Sequence, residues 1–204
     1  MITRRAALWL PAILAACGRH ESHEFAPLRY DYLLPLQLNV STIQIEQRFI
    51  PSGVAPDVSQ YDPVGPIRAL RAMAEDRLQA LGTADLAVFV IQDASLVRHS
   101  DTISGNFAVA LDIFNAPNTR AAYAQARVSS SYSGDLDDLP ARLYNMTRDM
   151  MDRMNVEFEF QVRRSLGAWL VSGQVERAPV EQQPLTVQPP GTPPPPPAPL
   201  LQTR

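Results

Sequence analysis

The chain has 204 residues, 46% of them hydrophobic and 19% charged, which fits one globular domain with flanking segments rather than two full domains. All 18 basic residues are arginine, set against 21 acidic residues for a net charge of -3, so the concentrated basic surplus of a nucleic-acid binder is missing. The complete lack of lysine excludes a P-loop, which needs its Lys on the phosphates, and a pyridoxal Schiff base.

Arg4 and Arg5 precede an apolar run from Ala6 to Ala16, the charged-then-apolar plan of a secretory signal. The run is too short for a transmembrane helix, which needs about 20 apolar residues. It ends Leu14-Ala15-Ala16-Cys17-Gly18, and Cys17 is the only cysteine, so no internal disulfide is available to it. This pattern resembles the lipobox of bacterial lipoproteins. The resemblance implies cleavage before Cys17, acylation of Cys17 and attachment to a membrane through it; Gly18 in place of Asp implies the outer membrane, with the protein facing the periplasm. Residues 1–16 are then the signal peptide. Residues 17–35 mix charge, His and Pro without periodicity and read as a lipidated tether.

The domain is expected over residues 36–170. Leu36, Leu38 and Val40 alternate with polar residues, and Ile43 and Ile45 continue on the other phase, which predicts one strand with a bulge near Thr42. After a loop with Pro51, Gly53 and Pro56, Asp62-Pro63 reads as an N-cap and first-turn proline. The helix it opens carries Ile67, Leu70, Ala74, Leu78 and Leu81 at helical spacing and closes at Gly82. Leu86 to Ile91 is a continuous apolar run, predicting a strand covered on both faces or at the sheet centre. Phe107, Val109, Leu111 and Ile113 alternate strictly, and a turn at Asn115-Ala116-Pro117-Asn118 leads to a fourth strand around Ala121 to Ser130. The small face of Ala122, Ala124, Ala126 and Val128 invites a helix to approach closely.

Asp137-Asp138-Leu139-Pro140 starts a long helix with an apolar stripe of Leu143, Met146, Met150, Met154, Phe158, Val162, Leu166 and Trp169. The order strand, helix, three strands, helix predicts an α+β two-layer sandwich: a mainly antiparallel four-stranded sheet with two helices on one face. A small barrel with appended helices is the alternative. Residues 171–204 hold ten of the chain's 19 prolines, among them the run Pro193 to Pro197, and read as a disordered proline-rich tail. This layout behind a lipobox resembles small envelope lipoproteins such as the lipopolysaccharide-assembly lipoprotein and the auxiliary lipoproteins of lipid-handling ABC transporters. The resemblance implies a non-enzymatic role, binding a protein or lipid partner in outer-membrane assembly, maintenance or transport, and transfers no binding residue.

Clusters with chemical potential have plainer readings. In His20-Glu21-Ser22-His23-Glu24 the histidines are three apart, not the four of a zinc-protease helix, and a solvated linker accounts for them. His99, beside Arg98 and Asp101, falls in a hairpin loop. Ser129, Ser130, Ser131 and Ser133 lack a nucleophile-elbow context. Asp135, Asp137 and Asp138 lack the glycine and terminal glutamate of a calcium loop, and helix capping explains them. Met146, Met150, Met151 and Met154 suit core filling, although thioether sulfurs also bind Cu(I); Met151 lies off the stripe and is the one to test. No catalytic residue, cofactor or metal site is therefore expected, and a lipid-anchored hydrolase or copper binder is the alternative reading.

Overall fold

The computed structural model describes residues 25–115 and 119–171. In chain order its elements are β1 (Leu36–Leu38), β2 (Thr42–Gln47), a 3-10 turn (Ser59–Tyr61), α1 (Pro66–Arg77), β3 (Leu78–Ala80), β4 (Leu86–His99), β5 (Thr102–Asn115), β6 (Thr119–Ser133), α2 (Leu139–Ser165) and a second 3-10 turn (Gly167–Trp169).

Because side chains alternate across a strand, the period-two pattern of β5 sends Phe107, Val109, Leu111 and Ile113 to one face, all fully buried. Their partners across the antiparallel ladder are Val128, Ala126, Ala124 and Ala122 of β6, small side chains over which α2 settles. β4 pairs antiparallel with the other side of β5, sending Phe89 and Ile91 to the same core. Its alternate residues Val88 and Val90 form a small second cluster with Ala110 on the opposite face, as a strand apolar on both faces requires. β2 lies parallel to the first half of β4, and the order is β2-β4-β5-β6. The result is an α+β fold whose two helices share one core with one face of a mainly antiparallel four-stranded sheet.

The Asp138 carboxylate caps α2, accepting from the Ala141 N–H at 3.1 Å. Leu143, Met150, Met154, Phe158 and Val162 follow at helical spacing and are fully buried. Phe158 meets Phe89 edge-on, with ring centroids 5.5 Å apart, a favoured aromatic geometry. A Cβ on Gly105 of β5 would sit 2.7 Å from the Met150 sulfur, so the glycine gives the methionine its seat.

Several boundaries differ from expectation. The single bulged first strand is two strands in two sheets: β1 pairs parallel with β3, β2 with β4, and the chain breaks between them where the Asn39 N–H bonds the Trp169 carbonyl. A register shift occurs instead in β4, between Ile91 and Asp93. α1 is capped at Gly65 and opens on Pro66. Asp62 accepts from the Val64 N–H and from the Thr147 hydroxyl, closing a local turn and tying it to α2. The helix ends at Arg77, because Leu78 to Ala80 turn extended to pair with β1. Gly82 lies beyond it, where a Cβ would fall 2.5 Å from the Asn39 carbonyl carbon. Residues 116–118 of the expected turn lie outside the described residues.

Candidate functional site

Cys17, the residue expected to carry lipid, lies outside the described residues, as do His20 to Glu24 and the proline-rich segment from residue 172. From Phe25 onward the segment expected as tether is seated on the domain. The Arg29 guanidinium makes a two-point contact with Asp76 of α1 at 2.9 and 2.6 Å, and the Tyr30 N–H donates to the same carboxylate. The Arg29 bond, with the Tyr30 N–H and the guanidinium charge behind it, holds Asp76 below the usual carboxylate range against its partial burial. Tyr30 is buried and its phenol oxygen has no hydrogen-bond partner among the described residues. Burial, reinforced by the Asp152 carboxylate, pushes that phenol far above its ordinary pKa.

The methionines lie inside. Met146, Met150, Met151 and Met154 all belong to the main core, Met151 included, although a simple helical stripe places it at the margin. Met151 faces inward because α2 has one wall against the sheet and another toward α1. A copper site would require these sulfurs to leave their packing. The serines fall on β6: Ser129 and Ser131 point to the face away from the helices, opposite Asn106 and Ser104 of β5, while Ser130 faces the other way, opposite Gly105. Ser133 pairs with the Thr102 hydroxyl at 2.8 Å. His99 ends β4 and is exposed, and no described serine hydrogen-bonds to it. Among the described residues no group of three or more His, Cys, Asp or Glu is placed to hold a metal ion, and no helix is long and apolar enough to cross a membrane.

β6 presents a surface that single-residue patterns do not reveal. It is the last strand of the sheet, and no described strand pairs with its outer side; Arg153 of α2 donates to the Ser129 carbonyl at 3.2 Å. Two half-exposed aromatics flank it, Tyr123 on the strand at 56% and Phe160 on α2 at 54%. Arg120 lies over the Tyr123 ring, 5.0 Å from its centroid, and reaches Asp112 at 3.4 Å. Farther across the open face, Gln125 donates to Gln92 at 2.7 Å above the small cluster of Val88, Val90 and Ala110. Such an edge offers unpaired backbone donors and acceptors with apolar side chains beside them, the requirements for receiving an extended strand.

Between the helices lies a polar knot. Arg77 of α1 is 1% exposed, and its guanidinium donates to the Glu159 carboxylate at 2.6 Å, the Leu34 carbonyl at 3.1 Å and the Asn155 side chain at 3.3 Å. Its Nε has no partner among the described residues. Partial burial works to raise the Glu159 pKa, but bonds from Arg77 and Arg163 overcome it and hold the carboxyl below its ordinary range. The knot joins α1, α2 and the incoming residues 30–34; its role is to clamp these three segments.

No protein-family model matches the chain, and no curated protein matches it. Among solved structures it is similar to a protein from Caulobacter crescentus described as a lipoprotein (17% identity, TM-score 0.34, covering 62% of this chain and 88% of that one). A protein of the family DUF330 from Xanthomonas campestris aligns with 10% identity and a TM-score of 0.40 over 68% of this chain and 94% of its own. A minor lipoprotein from Acinetobacter baumannii aligns with 11% identity and a TM-score of 0.32 over 61% and 95%. Likeness of this degree assigns no activity.

Proposed function

We propose that the chain is an envelope lipoprotein, exported, acylated at Cys17 and held at the outer membrane facing the periplasm. There its domain binds a protein or lipid partner in membrane assembly, maintenance or transport, without chemistry of its own. The observation that carries this reading is the sequence Leu14-Ala15-Ala16-Cys17 behind Arg4, Arg5 and an 11-residue apolar run, in a chain with no other cysteine. One acyl chain binds membranes marginally and two bind them stably, so the two or three chains that a lipobox cysteine carries would keep the domain at the surface permanently. The open edge of β6, with Tyr123 and Phe160 beside it, supports a protein partner that adds an extended segment to the sheet.

Metabolic labelling with a palmitate analogue and membrane fractionation test the anchor. Wild-type protein is expected to carry label and sediment with membranes, and Cys17→Ala to lose both while remaining folded; a Cys17→Ala chain that stays in washed membranes refutes the reading. A photocrosslinking amino acid at position 125 then tests the edge, with a crosslink expected there and not at the far-side position 71.

A further inference from the structure

We infer that the segment Phe49 to Ile67 is a lipid-facing platform, which rests on the bilayer surface and fixes the orientation of the anchored domain. The inference rests on the lipid-anchor reading above. This segment exposes three large apolar side chains, Ile50 at 82%, Val54 at 66% and Tyr61 at 55%, around a small apolar cleft of about 170 Å³ that includes Pro51, Gly53, Pro66 and Ile67. Exposed apolar side chains gathered on one connection mark a contact surface, and Tyr, apolar along the ring and polar at its tip, suits a membrane interface.

The segment is held rigid while its apolar groups face out. The Asp57 carboxylate accepts from the Ser52 hydroxyl, the Gly53 N–H and both the N–H and hydroxyl of Ser59. Burial would raise its pKa, but these bonds hold it below the ordinary aspartate range. Asp57 also bridges to Val97 of β4, and the Val58 N–H donates to the Leu96 carbonyl. Ile50 and Val54 are therefore presented by a braced loop.

Charge selects lipid as the occupant. The only acidic or basic side chains between Phe49 and Ile67 are Asp57 and Asp62, and both are buried. On either side stand two exposed arginines, Arg48, which pairs with Glu46 at 3.0 Å, and Arg68, which donates to the Val64 and Pro63 carbonyls. An uncharged apolar surface flanked by arginines matches an anionic bilayer, whose headgroups attract the cations while its interface accepts the apolar groups.

Chain length brings this surface to the membrane. Phe25 and Pro27 line a cleft with Pro63, Val64 and Arg68, and Arg68 also lines the cleft beside Pro51 and Gly53. The seated chain thus begins next to the platform. Seven residues lie between Cys17 and Phe25, so the two are at most about 28 Å apart when the chain is fully extended. Leu81 and Gly82 lie at the opposite end of the sheet, beside Leu38, Val40 and the start of β4.

The test places a fluorophore at each end of the acylated full-length protein. Ile50→Trp and Leu81→Trp are reconstituted separately in phosphatidylethanolamine and phosphatidylglycerol vesicles, with or without bromine on the acyl chains. Trp169, which lies at the Leu81 end, serves as constant background. Ile50→Trp is expected to shift its emission to the blue and to be quenched by brominated chains, Leu81→Trp to do neither. If both tryptophans stay unquenched while intact mass shows acyl groups on Cys17, the platform is refuted and the anchor stands. If no acyl groups are found, the anchor reading fails, and cosedimentation of the unacylated chain with the same vesicles decides the platform. Replacing Ile50 and Val54 together by Ser is then expected to weaken sedimentation about tenfold or more, and equal sedimentation, or none in either chain, refutes it. Both side chains are exposed, so circular dichroism is expected to be unchanged.

Discussion

Replacing Arg77 by Met keeps the stem of the side chain and removes its donors. Four acceptors are affected: the Glu159 carboxylate, the Leu34 carbonyl, and the Asn155 side-chain and backbone oxygens at 3.3 and 3.4 Å. Glu159 is 33% exposed on its side chain and turns to water at little cost, and the replacement relieves the desolvation of a guanidinium whose Nε is unpaired. The Asn155 oxygen has no such outlet, because Asn155 is buried and its amide is committed to the Met151 carbonyl. One to two acceptors left bare at about 1–3 kcal/mol each, less the relieved desolvation, gives a net loss of about 2–3 kcal/mol. With a urea slope of about 2 kcal/mol per molar, the midpoint of the unacylated chain should fall by about 1 M at unchanged slope. Glu159→Gln should destabilise the native background by about 1 kcal/mol and the Arg77→Met background by close to nothing. A midpoint for Arg77→Met that is unchanged or raised would mean that the buried charge costs as much as its bonds contribute, refuting the clamp.

The Gly82→Ala methyl would meet the backbone of Asn39 and Val40 at 2.5 and 2.6 Å. Main chain cannot step aside as a side chain can, so a melting temperature lower by about 5–10 °C is expected by calorimetry, and an unchanged one would disprove the close approach. Met151→Ala should cost about 2–5 kcal/mol in chemical denaturation; a neutral result would return Met151 to candidacy as a binding residue. Glu159, lowered in the folded state, contributes stability above its ordinary value of 4.5 and loses it as the pH falls through the folded value. The stability gap between wild type and Glu159→Gln should therefore close below that range, and a gap that widens in acid contradicts the assignment.

The long strands were legible because β5 alternates without a break and β4 is apolar on both faces, patterns that report local geometry directly. The start of α2 was legible because Asp138 both caps and precedes a proline. The first strand was misread because Leu36 to Ile45 has the same local pattern whether it feeds one sheet or two; the break at Asn39 is set by distant partners, Trp169 and Ala84. Asp62-Pro63 has the signature of a helix start, yet the Asp62 side chain is engaged by Val64 and by Thr147, 85 positions away. Residues 25–35 show no periodicity because they dock as an irregular strap, fastened by Arg29 and Tyr30. The anchor proposed at Cys17 rests on sequence alone, since that residue lies outside the described ones. The open side of β6 was not, since no residue records which strand ends the sheet.

The two margins of the sheet are unequal. β2 offers six residues and carries the Glu46 and Arg48 ion pair at its end, while β6 offers fifteen. If one domain's β2 lay against the next one's β6, most of the longer margin would stay bare, and the mismatch would recur at every step. Stacking of this kind has no favourable repeat to propagate, so the two margins do not template a fibre by pairing with each other.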